Sequence, residues 1–448
     1  MLLNMTEGRP IKLILPFMVP LLIGNVFQQL YNIADIIIVG RTIGVEALAA
    51  VGSIAPVFMM GVGLTIGLSN GFTVVTGQRY GAQDMEGVRK SIATSTYLSL
   101  LFVVLTMLLM HVGIDWMLAM MNLPKEIYAN ARSYVMIITD GLFAMMGYNL
   151  LSGVMRSLGD SKTPLYCLIV ASIINIILAL VFIIYFGWGV PGSAVALVIS
   201  QAISAALCII YIYFRFPELH VGLKDVEFSR KEIWAHLRMG LPMAVQFTIL
   251  GSGILILQSF CNKFGAQTIA GFTTATRVEQ LALMPMISFG LSMAVFTAQN
   301  YGARRFDRIR EGVKTCSQLA LAFAICAMLV FYCFADKIVV IFLETPAPEV
   351  IEASRMYIFY TVPVYFFLSQ IFIYRNACQG MGISLVPMLA STIELIMRCF
   401  AAIYLSQLWG YKGICVASPI SWVCCCIFVF GCYRYFIRVL ERKSQLIN

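Results

Sequence analysis

The sequence predicts an all-α polytopic membrane protein: twelve transmembrane helices in two six-helix, pseudo-symmetric lobes. Three observations predict it. First, of the 448 residues 60% are hydrophobic and only 12% are charged, whereas a soluble domain carries roughly 25% charge. Second, the apolar residues fall into twelve runs, each near the ~20 residues with which a helix crosses a bilayer core. Third, the second half of the chain repeats the first at an almost constant offset. Too few polar residues remain to wet a soluble surface, which excludes a cytosolic enzyme, a secreted disulfide scaffold and a disordered chain.

The runs lie near 13–39, 48–76, 91–111, 130–152, 164–186, 190–214, 241–260, 268–297, 315–335, 353–376, 386–408 and 413–437. The alternating ten-residue segments of a transmembrane barrel do not occur. The first run is too long for a signal-peptide core and no small-residue cleavage site follows it, so it is expected to remain as the first spanning helix. Several runs exceed the minimum length, which predicts tilt or kinks. Placing both termini and every second loop in the cytoplasm puts 22 of the 31 Lys and Arg there and 5 opposite, with Arg132, Arg277, Arg355 and Arg398 in or beside spans. That asymmetry orients the chain. The net charge of +9 therefore points to the lipids of the cytoplasmic leaflet, not to nucleic acid. The thirteen cysteines, including consecutive Cys424, Cys425 and Cys426, fall almost wholly within spans and form no C-x-x-C pair in a loop; they are expected to be packing residues. His111, His220 and His236 stand isolated, without metal-ligand spacing, so neither a metal nor a cofactor is expected.

Gln78-Arg79-Tyr80-Gly81-Ala82 returns as Gln299-Asn300-Tyr301-Gly302-Ala303, 221 residues on. At the same offset Arg89 meets Arg310, Gly44 meets Gly265, Ala49 meets Ala270 and Gly192 meets Gly413; Gly159, Ser161 and Pro164 meet Gly382, Ser384 and Pro387 at 223. The chain is thus read as a duplicated six-helix unit: an N-lobe, residues 1–222 with helices one to six, and a C-lobe, 223–448 with helices seven to twelve. An even number of spans returns each copy to the same side of the membrane. This is the parallel-repeat architecture of secondary transporters, whose substrate path lies at the repeat interface. The Gln-x-Tyr-Gly-Ala stretches end their helices at the cytoplasmic side; a topological clamp and a part in gating are both open readings.

An ionisable residue at membrane depth costs at least about 2.5–3.5 kcal/mol on insertion scales. Asp35, Asp140, Glu279 and Glu394 lie at such depth. On the first helix Asn25, Gln28, Gln29, Asn32 and Asp35 line one face, about 120° wide at 100° per residue. Such a stripe must face water or protein. It is expected to line a cavity, with Asp35 toward its outer end as a candidate proton carrier. Pro16 and Pro20 near the inner end permit a bend. Asn175 is the strongest polar residue of helix five and is a hydrogen-bond partner for Asp35 if the two helices adjoin. Glu394 and Arg398, four apart, can pair directly. Asp140 has no partner evident in the sequence. Glu279 follows Arg277 too closely to face it.

Phe27-Gln28-Gln29-Leu30-Tyr31-Asn32-Ile33-Ala34-Asp35 with Val39-Gly40, Tyr148-Asn149, Arg156-Ser157-Leu158-Gly159-Asp160 with Pro164, Gln299 to Ala303, and Arg375-Asn376 with Gln379-Gly380-Met381-Gly382 together resemble the MATE (multidrug and toxic compound extrusion) family over nearly the whole chain, most closely its bacterial DinF-like branch. The resemblance implies the two-lobed MATE fold of the MOP superfamily in a bacterial cytoplasmic membrane. It implies antiport that exports amphipathic, often cationic compounds against H+ or Na+, with Asp35 as the cation-coupling carboxylate (of H+, or of Na+ as the one metal ion in question) and Asn175 beside it. Asn25, Gln28, Gln29, Asn32, Glu279 and Asp140 are the expected lining of the substrate cavity. The family's additional helix-five aspartate is replaced here by Ala179, and the acids of a NorM-like C-lobe site are missing from helices seven and ten, which offer Gln246, Gln258 and Gln370; a C-lobe cation role would fall to Glu279. A flippase for a lipid or lipid-linked precursor is the alternative. No nucleophile–base pair marks an enzyme, and nothing demands more than a monomer.

Overall fold

The computed structural model describes residues 3–121, 123–222, 225–226, 228–341 and 347–445, all of their regular structure helical. In chain order the helices are α1 (Pro10–Thr42), α2 (Val45–Ser53), α3 (Ala55–Gly81), α4 (Met85–Met120), α5 (Lys125–Asp140), α6 (Leu142–Ser157), α7 (Lys162–Leu180), α8 (Gly189–Arg215), α9 (Arg230–Cys261), α10 (Ala266–Gly302), α11 (Phe306–Ile341), α12 (Pro348–Thr361), α13 (Tyr365–Gly380), α14 (Leu385–Trp409) and α15 (Tyr411–Gln445). In lipid every backbone polar group must be satisfied within its own segment, so long apolar runs have no other outcome.

Among the described residues ten helical stretches are long and apolar enough to cross a membrane, and α5 with α6, bent by 47°, forms an eleventh. The run expected at 48–76 falls on α2 and α3. The 27 residues of α3 reach about 40 Å at 1.5 Å per residue. The single span expected at 130–152 is thus a broken one. The break follows Asp140, where a Cβ on Gly141 would stand 2.2 Å from Val198 of α8. Another long run, 164–186, ends α7 in a π-helical turn, Val181–Tyr185.

The duplication is written into the backbone. Gln83 and Arg304, 221 apart, are the two non-glycine residues with positive φ among the described ones, at 61° and 56°. Gly189 and Gly410, at the same offset, take φ of 61° and 59°. A left-handed conformation is costly for a residue with a Cβ, so its recurrence at matched positions marks one turn used twice.

The chain forms two compact units. One contains residues 3–4 and Val19–Thr248, the other Met5–Met18 and Ile249 to the C-terminal helix. The first has its core among Leu98, Tyr134, Ile138, Leu142, Ala194 and Leu197. The second has its own around Phe272, Tyr365, Leu368, Trp422, Cys425 and Val429. Lipid is as apolar as leucine, so close approach through small residues has to hold such helices together. On α3, a Cβ at Gly67 or Gly71 would fall 2.5 Å from the backbone of Ala244 or Gly240 on α9. All thirteen cysteines are free thiols, eight of them buried in helix packing.

Candidate functional site

The polar stripe of α1 belongs to the first unit. Gln28 and Asn32 are exposed, and Asn25, Gln29 and Asp35 are partly buried. Asp35 is held from a distant part of the chain: the Ser193 hydroxyl donates to its Oδ1 at 2.9 Å. A tight connection makes this contact. Gly187 and Gly189 take φ of 68° and 61°, turning the chain from α7 into α8 within a few residues, and Ser193 follows one helical turn later. Tyr31, a turn before Asp35 on α1, and Tyr134 of α5 stand within electrostatic reach of the carboxylate.

Asn175 stands on α7, in the same unit as Asp35. Gly24 of α1 packs against Leu165 and Leu168 at the start of α7, while Asp35 meets Ser193 just beyond the end of α7. On α7, Asn175 lies seven residues after Leu168 and so falls on the same face of that helix. The expected hydrogen bond to Asp35 does not form. Asn175 is 2% exposed, and neither atom of its amide has a hydrogen-bond partner among the described residues. A buried amide so placed offers both a donor and an acceptor to a guest.

Asp140 has a partner that the sequence did not disclose. His111 Nε2 lies 3.3 Å from its Oδ1, and both side chains are well exposed. His236 is likewise not isolated. Its Nδ1 donates to the Glu232 carbonyl at 2.8 Å and its Nε2 accepts from Ser91 at 2.9 Å, while Ser91 lies 2.9 Å from Thr76.

In the second unit, the Tyr357 hydroxyl donates to Glu279 Oε2 at 2.8 Å. Arg398 donates to Glu394 at 2.5 Å with both side chains under 10% exposed, the pairing their spacing predicts. Glu279 belongs to the second unit and Asp35 to the first.

The paired Gln-x-Tyr-Gly-Ala stretches hold chain segments. Arg79 donates to the Gly87 carbonyl at 2.7 Å and pairs with Glu232 in the first turn of α9. In the second copy Gln299 accepts from the Met5 amide at 3.0 Å, and Asn300 and Arg308 donate to the Met5 carbonyl at 2.9 and 3.2 Å. Met5, Gln299 and Asn300 are fully buried.

A family model, MatE, matches residues 20–181 and again 242–403. The chain belongs to the MATE family. The two matches begin 222 residues apart, at 20 and 242, in step with the internal repeat. Among curated MATE-like relatives, the "Probable multidrug resistance protein YoeA" of Bacillus subtilis (strain 168) is 27% identical over 442 residues, 96% of this chain and 94% of that protein. The "Probable multidrug resistance protein NorM" of Thermotoga maritima is 28% identical over 394 residues, 86% and 82% of the two chains. A multidrug resistance MATE family transporter of the MOP superfamily, solved in an outward-facing conformation, superposes with a TM-score of 0.91 at 25% identity over 98% of each chain. A MATE solved in a bent conformation gives 0.92 at 25% identity, again over 98% of each. MATE membership makes the chain a multi-pass membrane transporter and not an enzyme. Ser193, Tyr134 and Tyr357 were missed from the sequence. Each is a common residue in an apolar helix, and only the packing reveals its partner.

Proposed function

We propose that the protein exports amphipathic, cationic compounds from a bacterial cytoplasm in exchange for H+ or Na+, with Asp35 as the coupling carboxylate and Asn175 beside it. The observation that carries this reading is the Asp35 environment: one carboxylate in a polar stripe, held by Ser193, with the unpartnered buried amide of Asn175 in the same unit. The oxygens of Asp35, Ser193 and Asn175 are of the type that hard monovalent cations and protons prefer. The names of relatives such as YoeA support drug-like substrates. Missing C-lobe acids on helices seven and ten favour the DinF-like branch over a NorM-like sodium site. The excess of Lys and Arg in alternate loops supports both termini in the cytoplasm.

Charge exchange provides the mechanism. With its cation bound, Asp35 presents no net charge and the wall tolerates closure around it. Without that cation, the carboxylate favours an arrangement open to water or to a positively charged guest. A ligand shifts such an equilibrium only by its differential affinity for the two states, so cation and drug compete through one carboxylate. The test is efflux of ethidium from drug-sensitive cells or loaded vesicles under an imposed proton gradient, with and without Na+. Asp35→Asn is expected to abolish export while leaving expression intact. Normal export by this variant would move the coupling role to another carboxylate, with Glu279 the next to neutralise. The Na+ dependence of the wild type names the ion.

A further inference from the structure

An Arg–Asp ion pair and a His–Asp contact form a track along α4 and α5. Nearer the connection between them, Arg132 donates twice to Asp115, at 2.7 and 3.2 Å, and the Tyr128 hydroxyl donates to the same carboxylate at 3.0 Å. One turn deeper on α4 and two turns deeper on α5 stands the His111–Asp140 pair. Nine residues of α4 and fifteen of α5 separate this pair from the helix ends, about 13 and 22 Å of helix.

The two pairs differ in charge balance. Asp115 is neutralised by a fork of two hydrogen bonds from arginine. Asp140 has only imidazole. His111 Nδ1 lies 2.9 Å from the Met107 carbonyl, which can only accept, so Nδ1 carries the hydrogen. In the neutral ring, Nε2 then turns its lone pair toward the carboxylate. The pair is completed by one added positive charge. Asp140 is 60% exposed and His111 41%, and the carboxylate sits at the 47° break, where α5 ends. Exposed Leu108 and Val112 flank His111 on α4, and exposed Phe143 lies one turn beyond Asp140 on α6.

We propose that Asp140, with His111, is a subsite for the positively charged head of an amphipathic substrate, whose apolar body lies against Leu108, Val112 and Phe143. The proposal rests on the exporter reading and assigns a specificity-determining residue within it. A permanent organic cation is the natural guest. It supplies the missing charge, and its apolar groups cover a wall that water hydrates poorly.

The experiment is equilibrium binding of tetraphenylphosphonium to the purified full-length protein in detergent, with neutral triphenylphosphine oxide as the control ligand. Asp140→Asn is expected to weaken tetraphenylphosphonium binding about tenfold, the scale of one lost contact to a charged group, and to leave the neutral ligand unchanged. His111→Arg keeps the carboxylate but satisfies it internally, and is expected to weaken cation binding to a similar extent. Unchanged cation binding in either variant, equal loss for both ligands, or no binding of tetraphenylphosphonium by the wild type overturns the proposal. Ethidium efflux by the wild type is scored separately. Its absence counts against the exporter reading, and its presence alongside unaffected Asp140 variants counts against this subsite alone.

Discussion

At the scale of single residues, the Asp35 carboxylate is defined by what reaches it. Ser193 is 158 positions away and lies in a stretch whose sequence signal is glycine, not serine. A hydrogen bond to a charged group contributes roughly 1.5–3 kcal/mol locally, yet its net effect on folding is nearer 1 kcal/mol. Ser193→Ala is therefore expected to lower the initial rate of efflux several-fold while leaving thermal stability within a few degrees of wild type, both read on the same preparation. An equal and large loss of both would make Ser193 a packing residue only. The stripe on α1 and the Glu394–Arg398 pair were legible because both are properties of one helix, fixed by 3.6 residues per turn. The partners of Asp140, Glu279 and His236 were not. The contacts with His111, Tyr357 and Ser91 each join two helices, and an apolar span carries no local mark of the face its neighbour will use.

At the scale of helices, length and hydropathy located the spans but not their interruptions. Gly141 sits in a run with no proline, and what singles it out is the close approach of Val198 to its Cα. The same logic governs α3 and α9, whose backbones meet through glycine. A branched side chain at Gly71 would occupy the place of the Gly240 backbone. Overpacking of this kind typically costs 1–3 kcal/mol, occasionally more, and here the obstacle is main chain, which yields less than a side chain. Gly71→Val is expected to reduce the amount of folded protein and to lower Tm by several degrees. Gly61, around which a Cβ meets nothing within 4 Å among the described residues, provides the matched control: Gly61→Ala should leave Tm close to wild type.

At the scale of the whole molecule, the duplication was readable in the motifs, and the backbone repeats it down to the φ angles of its turns. The sequence did not disclose what the repeated Gln-x-Tyr-Gly-Ala stretches hold. In the second copy the object is a peptide unit, the amide and carbonyl of Met5, gripped without regard to its side chain. Removing the residues up to and including Met5 would leave Gln299, Asn300 and Arg308 buried with partners missing. Each hydrogen bond so lost costs about 0.5–1.5 kcal/mol, more where arginine is the donor. The truncated protein is expected to show a clear fall in Tm, while Met5→Leu, which keeps the backbone, should not. A truncation that melts like wild type would show that other groups take over the socket.

The two grips are reciprocal. Residues Met5–Met18, which open the first copy, belong with the unit built mainly from the second, and the opening of α9 up to Thr248 belongs with the unit built from the first. The halves of the gene are therefore not the halves of the molecule. The opening of α1 and the opening of α9 each pack with the unit built mainly from the other copy, so a cut at the repeat boundary would strip each unit of a segment that it packs.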